Sequence, residues 1–273
     1  MGLIVPFIPE EFAPATLQYV LSASETARSL GYDILMVSQQ EGDAGITRIT
    51  ESGLVDGVIM LDVRRHDDRI EALERAEQPS VLVGMPDDVV AIDSVDLDFS
   101  EAGRKLVQHL HDRGHHSIIF LTLPDQVFTL DLGYAWRFRE AVLGLASELG
   151  MAVRIIPGDA DPQVRARIIG AALDANTDAT AMLVHNDGAL ADLPMLFLQR
   201  GLSIPRDLSV VSLFPERFGR MFSLPYTAIE TSATAVTARA VNLLAARIEN
   251  PERKPTRELF TPEIIDRGSS RTA

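Results

Sequence analysis

The chain has 273 residues, 46% hydrophobic and 23% charged, which is ordinary for a folded body and enough for two modest cores. A formal net charge of −14 and the lack of any basic run of five residues argue against a surface that grips a phosphate backbone by itself. The chain has no cysteine, no signal-peptide pattern at its start and no apolar run near the ~20 residues of a membrane span, which excludes disulfides and thiolate chemistry and leads us to expect a cytoplasmic location with no membrane partner.

Residues 3–5 form a short apolar run, followed by a loop rich in proline and glutamate and a periodic segment over about 15–30 that closes at Gly31. The order is strand, loop, helix. It repeats as strand 34–37 with a helix near 43–53, strand 57–61 with a helix near 67–77, and strand 81–83 before Gly84. Strands that alternate with helices are joined by crossovers, so the sheet should be parallel. After Asp98 the alternation restarts: helix 100–113, strand 118–121, a long helix 134–149, strand 153–156, helix 163–175, strand 181–184, a helix through Phe197 and a further strand.

The tail reads as a strand-like crossing at 227–230, an alanine-rich helix over 233–249, a turn marked by Pro251 and Pro255, and a strand at 258–260. One helix and one strand are too little for a third domain, and one open sheet of all the strands would be unusually wide. The expected class is therefore α/β, with two doubly wound parallel-sheet lobes built from 1–98 plus 229–250 and from 99–228 plus 251–273, so that the chain crosses between them about three times.

Open parallel sheets bind ligands beyond the carboxyl ends of their strands, where helix N-termini face a crevice. Asn186 and Asp187 stand at such an end. Asp187 is the expected N-cap of the helix through Phe197, which leaves Asn186 to project its amide into the cleft. Asp98, at the head of the capping-box stretch Asp98-Phe99-Ser100-Glu101, is a candidate both for the cap and for the crevice wall. Tyr134 opens a helix from a position that could face the crevice, whereas Phe138, Ala141 and Val142 form a core stripe. His109, His111, His115 and His116 invite a metal, yet they lie on different helix faces or beyond Gly114, with no carboxylate at ligand spacing, so no metal site is expected. Nucleophile-elbow, phosphate-loop and dinucleotide motifs are missing. No catalytic residue, no cofactor and no enzymatic activity are expected.

The stretches "VDLDFSEAGRKLVQHLHDRGHHSIIFL", "LVHNDGALADLPMLFLQRGLSIPRDLSVVSL" and "TAIETSATAVTARAVNLLAARIENPERKP" resemble the effector-binding core of the LacI/GalR family of bacterial transcription regulators. The resemblance covers nearly the whole chain, in order. It implies a periplasmic-binding-protein-like fold of type I with three crossovers, a small-molecule effector between the lobes, and a homodimer. It also implies allosteric coupling to a helix-turn-helix headpiece that reads operator DNA. Because Met1 and Gly2 open directly onto the first strand, the headpiece is expected outside this chain, and DNA contact only through it.

Carried over position by position, the resemblance puts Asn186 on the family's pocket-facing asparagine, with His185 as the first residue of that motif. The family's effector-gripping arginine falls on Tyr134, its nearby glycine becomes Arg137, and Phe214 replaces a sugar-binding aspartate. Phe12 stands in the segment after the first strand, with Tyr19 near it, and Phe7 and Glu230 complete the candidate effector-binding set. Exchanging charged forks for Tyr134 and Phe214 implies an effector that is less polar or aromatic rather than a simple sugar, or a pocket that has lost its effector. Helices near 15–30, 43–53 and 233–249 are the expected dimer face. A transporter's solute-binding protein shares the two-lobe architecture and is the alternative.

Overall fold

The computed structural model describes residues 1–5, 14–38, 42–215 and 223–273, with the side chains of 14 and 15 excepted. The first sheet contains β1 (Gly2–Val5), β2 (Leu35–Ser38), β3 (Val58–Met60), β4 (Ser80–Val83), β5 (Asp93–Leu97) and β11 (Arg257–Phe260), in the order β2-β1-β3-β4-β5-β11. The second contains β6 (Ser117–Pro124), β7 (Ala152–Gly158), β8 (Ala181–Val184), β9 (Ser209–Phe214), β10 (Thr227–Glu230) and β12 (Ile264–Ile265), in the order β7-β6-β8-β9-β10-β12. The two orders are the same. All pairings between these strands are parallel except β10 with β12.

Helices cover both faces of each sheet, which is why central strands such as β3, β4 and β8 are nearly continuous apolar runs rather than alternating ones. In the first lobe, α1 (Pro14–Ser29) and α9 (Ala233–Glu249) lie on one face, where Ala23 and Ala27 meet Val236, Ala240 and Leu244 over Leu3, Ile59 and Val81. The other face takes α2 (Gly42–Glu51) and α3 (Arg69–Arg75), through Ile46, Ile49 and Leu73. In the second lobe, α4 (Phe99–Asp112) and α6 (Gly133–Glu148) cover one face, α7 (Pro162–Ala175) and α8 (Asp187–Gln199) the other, and the short α5 (Asp125–Thr129) caps the end of β6. Phe120 meets Phe138 edge to face at 6.0 Å, both fully buried, and each such ring stabilises the lobe by about 1.5–3 kcal/mol. Close approach of α4 to α6 needs Gly103, because a Cβ there would stand 2.8 Å from the Phe138 carbonyl oxygen.

The chain crosses between lobes three times: after β5 at Asp98, after β10, and between β11 and β12. The strand memberships move the expected lobe boundaries. Residues 257–260 pair with β5, Arg257 opposite Ser94 and Phe260 opposite Leu97, so this segment extends the first sheet although the sequence reading put 251–273 in the second lobe. All of β10, including residues 229 and 230, lies in the second sheet. A four-residue strand after a proline turn carries no local mark of which sheet edge it will join. Sheet order reverses direction at β1 and at β6, and a crevice opens at such switch points beyond the carboxyl ends.

Candidate functional site

The carboxyl ends of both sheets border one cavity of about 170 Å³. The first lobe supplies Leu61, Asp62 and Val63 after β3, Val83 at the end of β4 with Gly84 after it, and Asp96 of β5; the second supplies Leu123 and Pro124 of β6, Asp159 after β7, His185 and Asn186 after β8, and Phe214 of β9. Asp62 holds a left-handed φ of 52°, uncommon for a residue with a Cβ and typical of strain kept at functional turns.

Asn186 is in the wall, but its role differs from the expected one. The residue itself is the N-cap of α8: its backbone is extended and its Oδ1 accepts a hydrogen bond from the Ala189 amide at 2.9 Å. Asp187 is the first helical residue and also borders the cavity. Asparagine and aspartate cap equally well, so the choice fell to where the backbone turns after β8, which residue type alone does not reveal. The Asn186 amide nitrogen lies over Gly158, where a Cβ would stand 2.3 Å from Nδ2 and 2.5 Å from the Thr122 carbonyl oxygen.

Tyr134 and Phe214 border the same cavity. The Tyr134 ring packs against Phe99 at 5.3 Å and His185 at 6.2 Å. Phe214 is only 1% exposed; it belongs to the core of the second lobe with Tyr226, and the Arg267 guanidinium lies 5.8 Å from its ring. The remaining candidates stand behind the wall. Asp98 caps α4, accepting from the Glu101 amide at 2.8 Å. Arg137 reaches across the lobes, donating to Asp96 Oδ2 at 2.7 Å and to the Met85 carbonyl at 2.6 Å. Glu230 pairs with Arg267, and its neighbour Thr231 takes the place in the wall. In each case the side chain meets a nearby amide, carboxylate or guanidinium first. Phe7 and Phe12 lie outside the described residues.

Sequence reasoning missed Asp96 and His185. Burial pushes the Asp96 carboxyl up to about 6, against the opposing pull of Arg137 and of the Leu97 amide that donates to its Oδ1. Burial also lowers the His185 imidazole to about 3, so the ring is neutral at physiological pH. His185 packs on Phe138 at 4.6 Å. Its only sequence signal is its place directly before Asn186 at the end of β8. Arg165, 6% exposed, pairs with Asp192 at 2.6 Å and braces the loop after β7 by donating to the carbonyls of Asp159 and Ala160.

Beside the cavity the lobes are strapped together. The Arg65 amide donates to the Asp131 carbonyl at 2.9 Å and the Gly133 amide to the Val63 carbonyl at 3.0 Å. Arg65 also pairs with Asp131 at 2.8 Å and lies 4.5 Å over the Trp136 ring. Two of the clustered histidines hold the end of the chain: His109 meets Ser270 Oγ at 2.8 Å, and His115 meets the Arg271 carbonyl at 2.9 Å and Thr180 Oγ1 at 2.8 Å.

A family profile described as a periplasmic binding protein-like domain matches residues 107–270. The chain is 25% identical over 272 residues to the HTH-type transcriptional repressor PurR of Actinobacillus pleuropneumoniae serotype 3 (strain JL03), an alignment that covers 95% of the chain and 78% of the repressor. It is 24% identical over 252 residues to catabolite control protein A of Priestia megaterium, covering 89% of the chain and 73% of that protein. A LacI family transcriptional regulator from Bifidobacterium animalis subsp. lactis DSM 10140 matches the structure with a TM-score of 0.85 at 21% identity, over 100% of this chain and 97% of that one. The transcriptional regulator CelR in its cellobiose complex matches with a TM-score of 0.81 at 22% identity, over 98% of this chain and 83% of that one. The structural likenesses establish the fold.

Proposed function

This chain belongs to the periplasmic binding protein-like domain family, and from that membership and its regulator relatives we propose that it is the ligand-sensing and dimerisation core of a LacI/GalR-type transcriptional regulator. The observation that carries the reading is a cavity walled by strand ends of both lobes, next to contacts that tie the lobes together. A small molecule bound there favours one arrangement of the lobes. That shift passes to operator DNA through a helix-turn-helix module outside these 273 residues, with a coupling of ~1–3 kcal/mol. The cleft senses its ligand and does not convert it. Among the described residues no helix is long and apolar enough to cross a membrane, and the regulator reading carries a cytoplasmic location with it. Relatives that are transcriptional regulators favour this reading over a transporter's solute-binding protein.

The effector has an apolar or aromatic body in preference to that of a simple sugar. Leu61, Val63, Val83, Leu123, Val127 and Tyr134 supply apolar wall for such a body, while the Asn186 Oδ1 and the Asp96 carboxylate already accept from Ala189, Leu97 and Arg137. Dimerisation uses the first lobe, where Leu17 and Leu21 of α1 and Leu35 and Met36 of β2 are exposed. The apolar residues of α9 are core instead, buried against the sheet. Calorimetry against hexoses, cellobiose and aromatic metabolites, scattering with and without the binder, and sedimentation test these points together. Lobe closure on binding and a dimer are expected; a monomer at high concentration whose dimensions no ligand changes would refute the regulator reading, and tight hexose or cellobiose binding would refute the effector class alone.

A further inference from the structure

Most polar groups around the cavity have partners. Asn186 Oδ1 is taken by Ala189, Asp96 by Leu97 and Arg137, Arg165 by Asp192, and Asp159 Oδ1 by the Asp161 amide at 2.8 Å. His185 is different. It is 8% exposed, it borders the cavity, and its packing neighbours are the rings of Phe138 and Tyr134. Neither ring nitrogen is shown in a hydrogen bond with a described residue, and the residue faces a cavity where a ligand can supply one. Thr231, in the same wall, has a buried Oγ1 without a partner among the described residues. His185 brings a second polar group to the same border, so a ligand in this cavity can complete the hydrogen bonding.

The state of the ring narrows the ligand. With nothing but burial acting on it, the imidazole stays neutral through the physiological range, and a neutral imidazole carries one N–H donor and one bare nitrogen acceptor. A hydroxyl or an amide can use either nitrogen. A carboxylate or phosphate can use only the N–H, finds no imidazolium to pair with, and pays for its own desolvation against the aliphatic wall.

We propose that His185 is the specificity-determining anchor of this cavity, exchanging a hydrogen bond with an uncharged hydroxyl or amide of the effector, whose aromatic or aliphatic body lies along the wall of Leu61, Val63, Leu123 and Tyr134. The inference rests on the sensing reading above and adds the class of head group that the cavity selects.

The test uses the whole chain uniformly labelled with ¹⁵N, so that backbone amides and imidazoles both report, the His185 ring signals being identified among the six histidines by their loss in His185→Phe. The probes are p-cresol, benzamide and benzoate, matched in size, with cellobiose as a fourth, sugar probe. Saturable movement of the His185 ring nitrogens by p-cresol or benzamide is expected, with benzoate weaker by at least about tenfold, a gap worth about 1.4 kcal/mol. His185→Phe should erase that preference. His185→Gln, which keeps a donor and an acceptor, should retain most of it. If probes shift the backbone amides of Leu61 and Leu123 but leave His185 unmoved, or if benzoate binds as well as p-cresol, the inference is overturned while the sensing reading stands. Silence of all cavity amides towards every probe, cellobiose included, overturns both.

Discussion

Asp96 offers the sharpest test of how the two lobes are held. Its side chain is 4% exposed, it borders the cavity from the first lobe, and it accepts the only side-chain ion pair that Arg137 of the second lobe is shown to make. Burial raises its carboxyl from 3.8 to about 6 despite that pair. The folded chain therefore keeps a proton on Asp96 at pH values where the unfolded chain has released it. The stability tied to this group is fully present below pH 3.8 and is lost as pH rises through about 6. At about 1.4 kcal/mol per pH unit, the loss is about 3 kcal/mol. Asp96→Asn removes the titration and leaves Arg137 with the Met85 carbonyl, a change that does not vary over this range. Asp207 and Asp266, whose carboxyls are lowered by hydrogen bonds, titrate with the opposite sign but are common to both proteins and cancel in the difference. Urea unfolding followed by circular dichroism, in steps between about pH 4 and 7, should show the wild-type stability minus that of Asp96→Asn falling by about 3 kcal/mol. A difference that stays flat, or that rises with pH, refutes the assignment of a desolvated carboxyl beneath the cavity.

Gly158→Ala should cost about 1–3 kcal/mol in thermal or chemical denaturation, since its Cβ drives into the Asn186 amide and the Thr122 carbonyl, and it should weaken any ligand of the cavity further by displacing Asn186. Arg65→Ala should cost no more than about 1 kcal/mol, because its pair with Asp131 is partly solvated, yet it should alter the emission of Trp136, the only tryptophan, by removing the guanidinium over its ring. Phe138→Ala should lower stability by about 3–5 kcal/mol and free the His185 ring from its closest neighbour, so His185 resonances should broaden or move even where the variant remains folded.

The alternation of apolar runs with periodic helical segments, each short in sequence, determined the parallel sheets, the two lobes and the position of Asn186 at a strand end, because hydrophobic period and strand–helix order are local properties. Its place at a helix start put Tyr134 near the crevice and the family resemblance put Phe214 there; the structure has both at the cavity border, the latter mostly inside the core. Contacts between distant segments were not legible. Nothing near Arg257 says that it will pair beside Ser94, and nothing near Arg137 says that its partners will be Asp96 and Met85 in the other lobe. Which oxygen caps α8 depended on where the backbone turns after β8, and whether His185 would be charged depended on aromatic rings 47 and 51 positions away. Local periodicity set the elements; burial and partner choice, which exist only once the lobes close around a shared cavity, decided the chemistry of the side chains that face it.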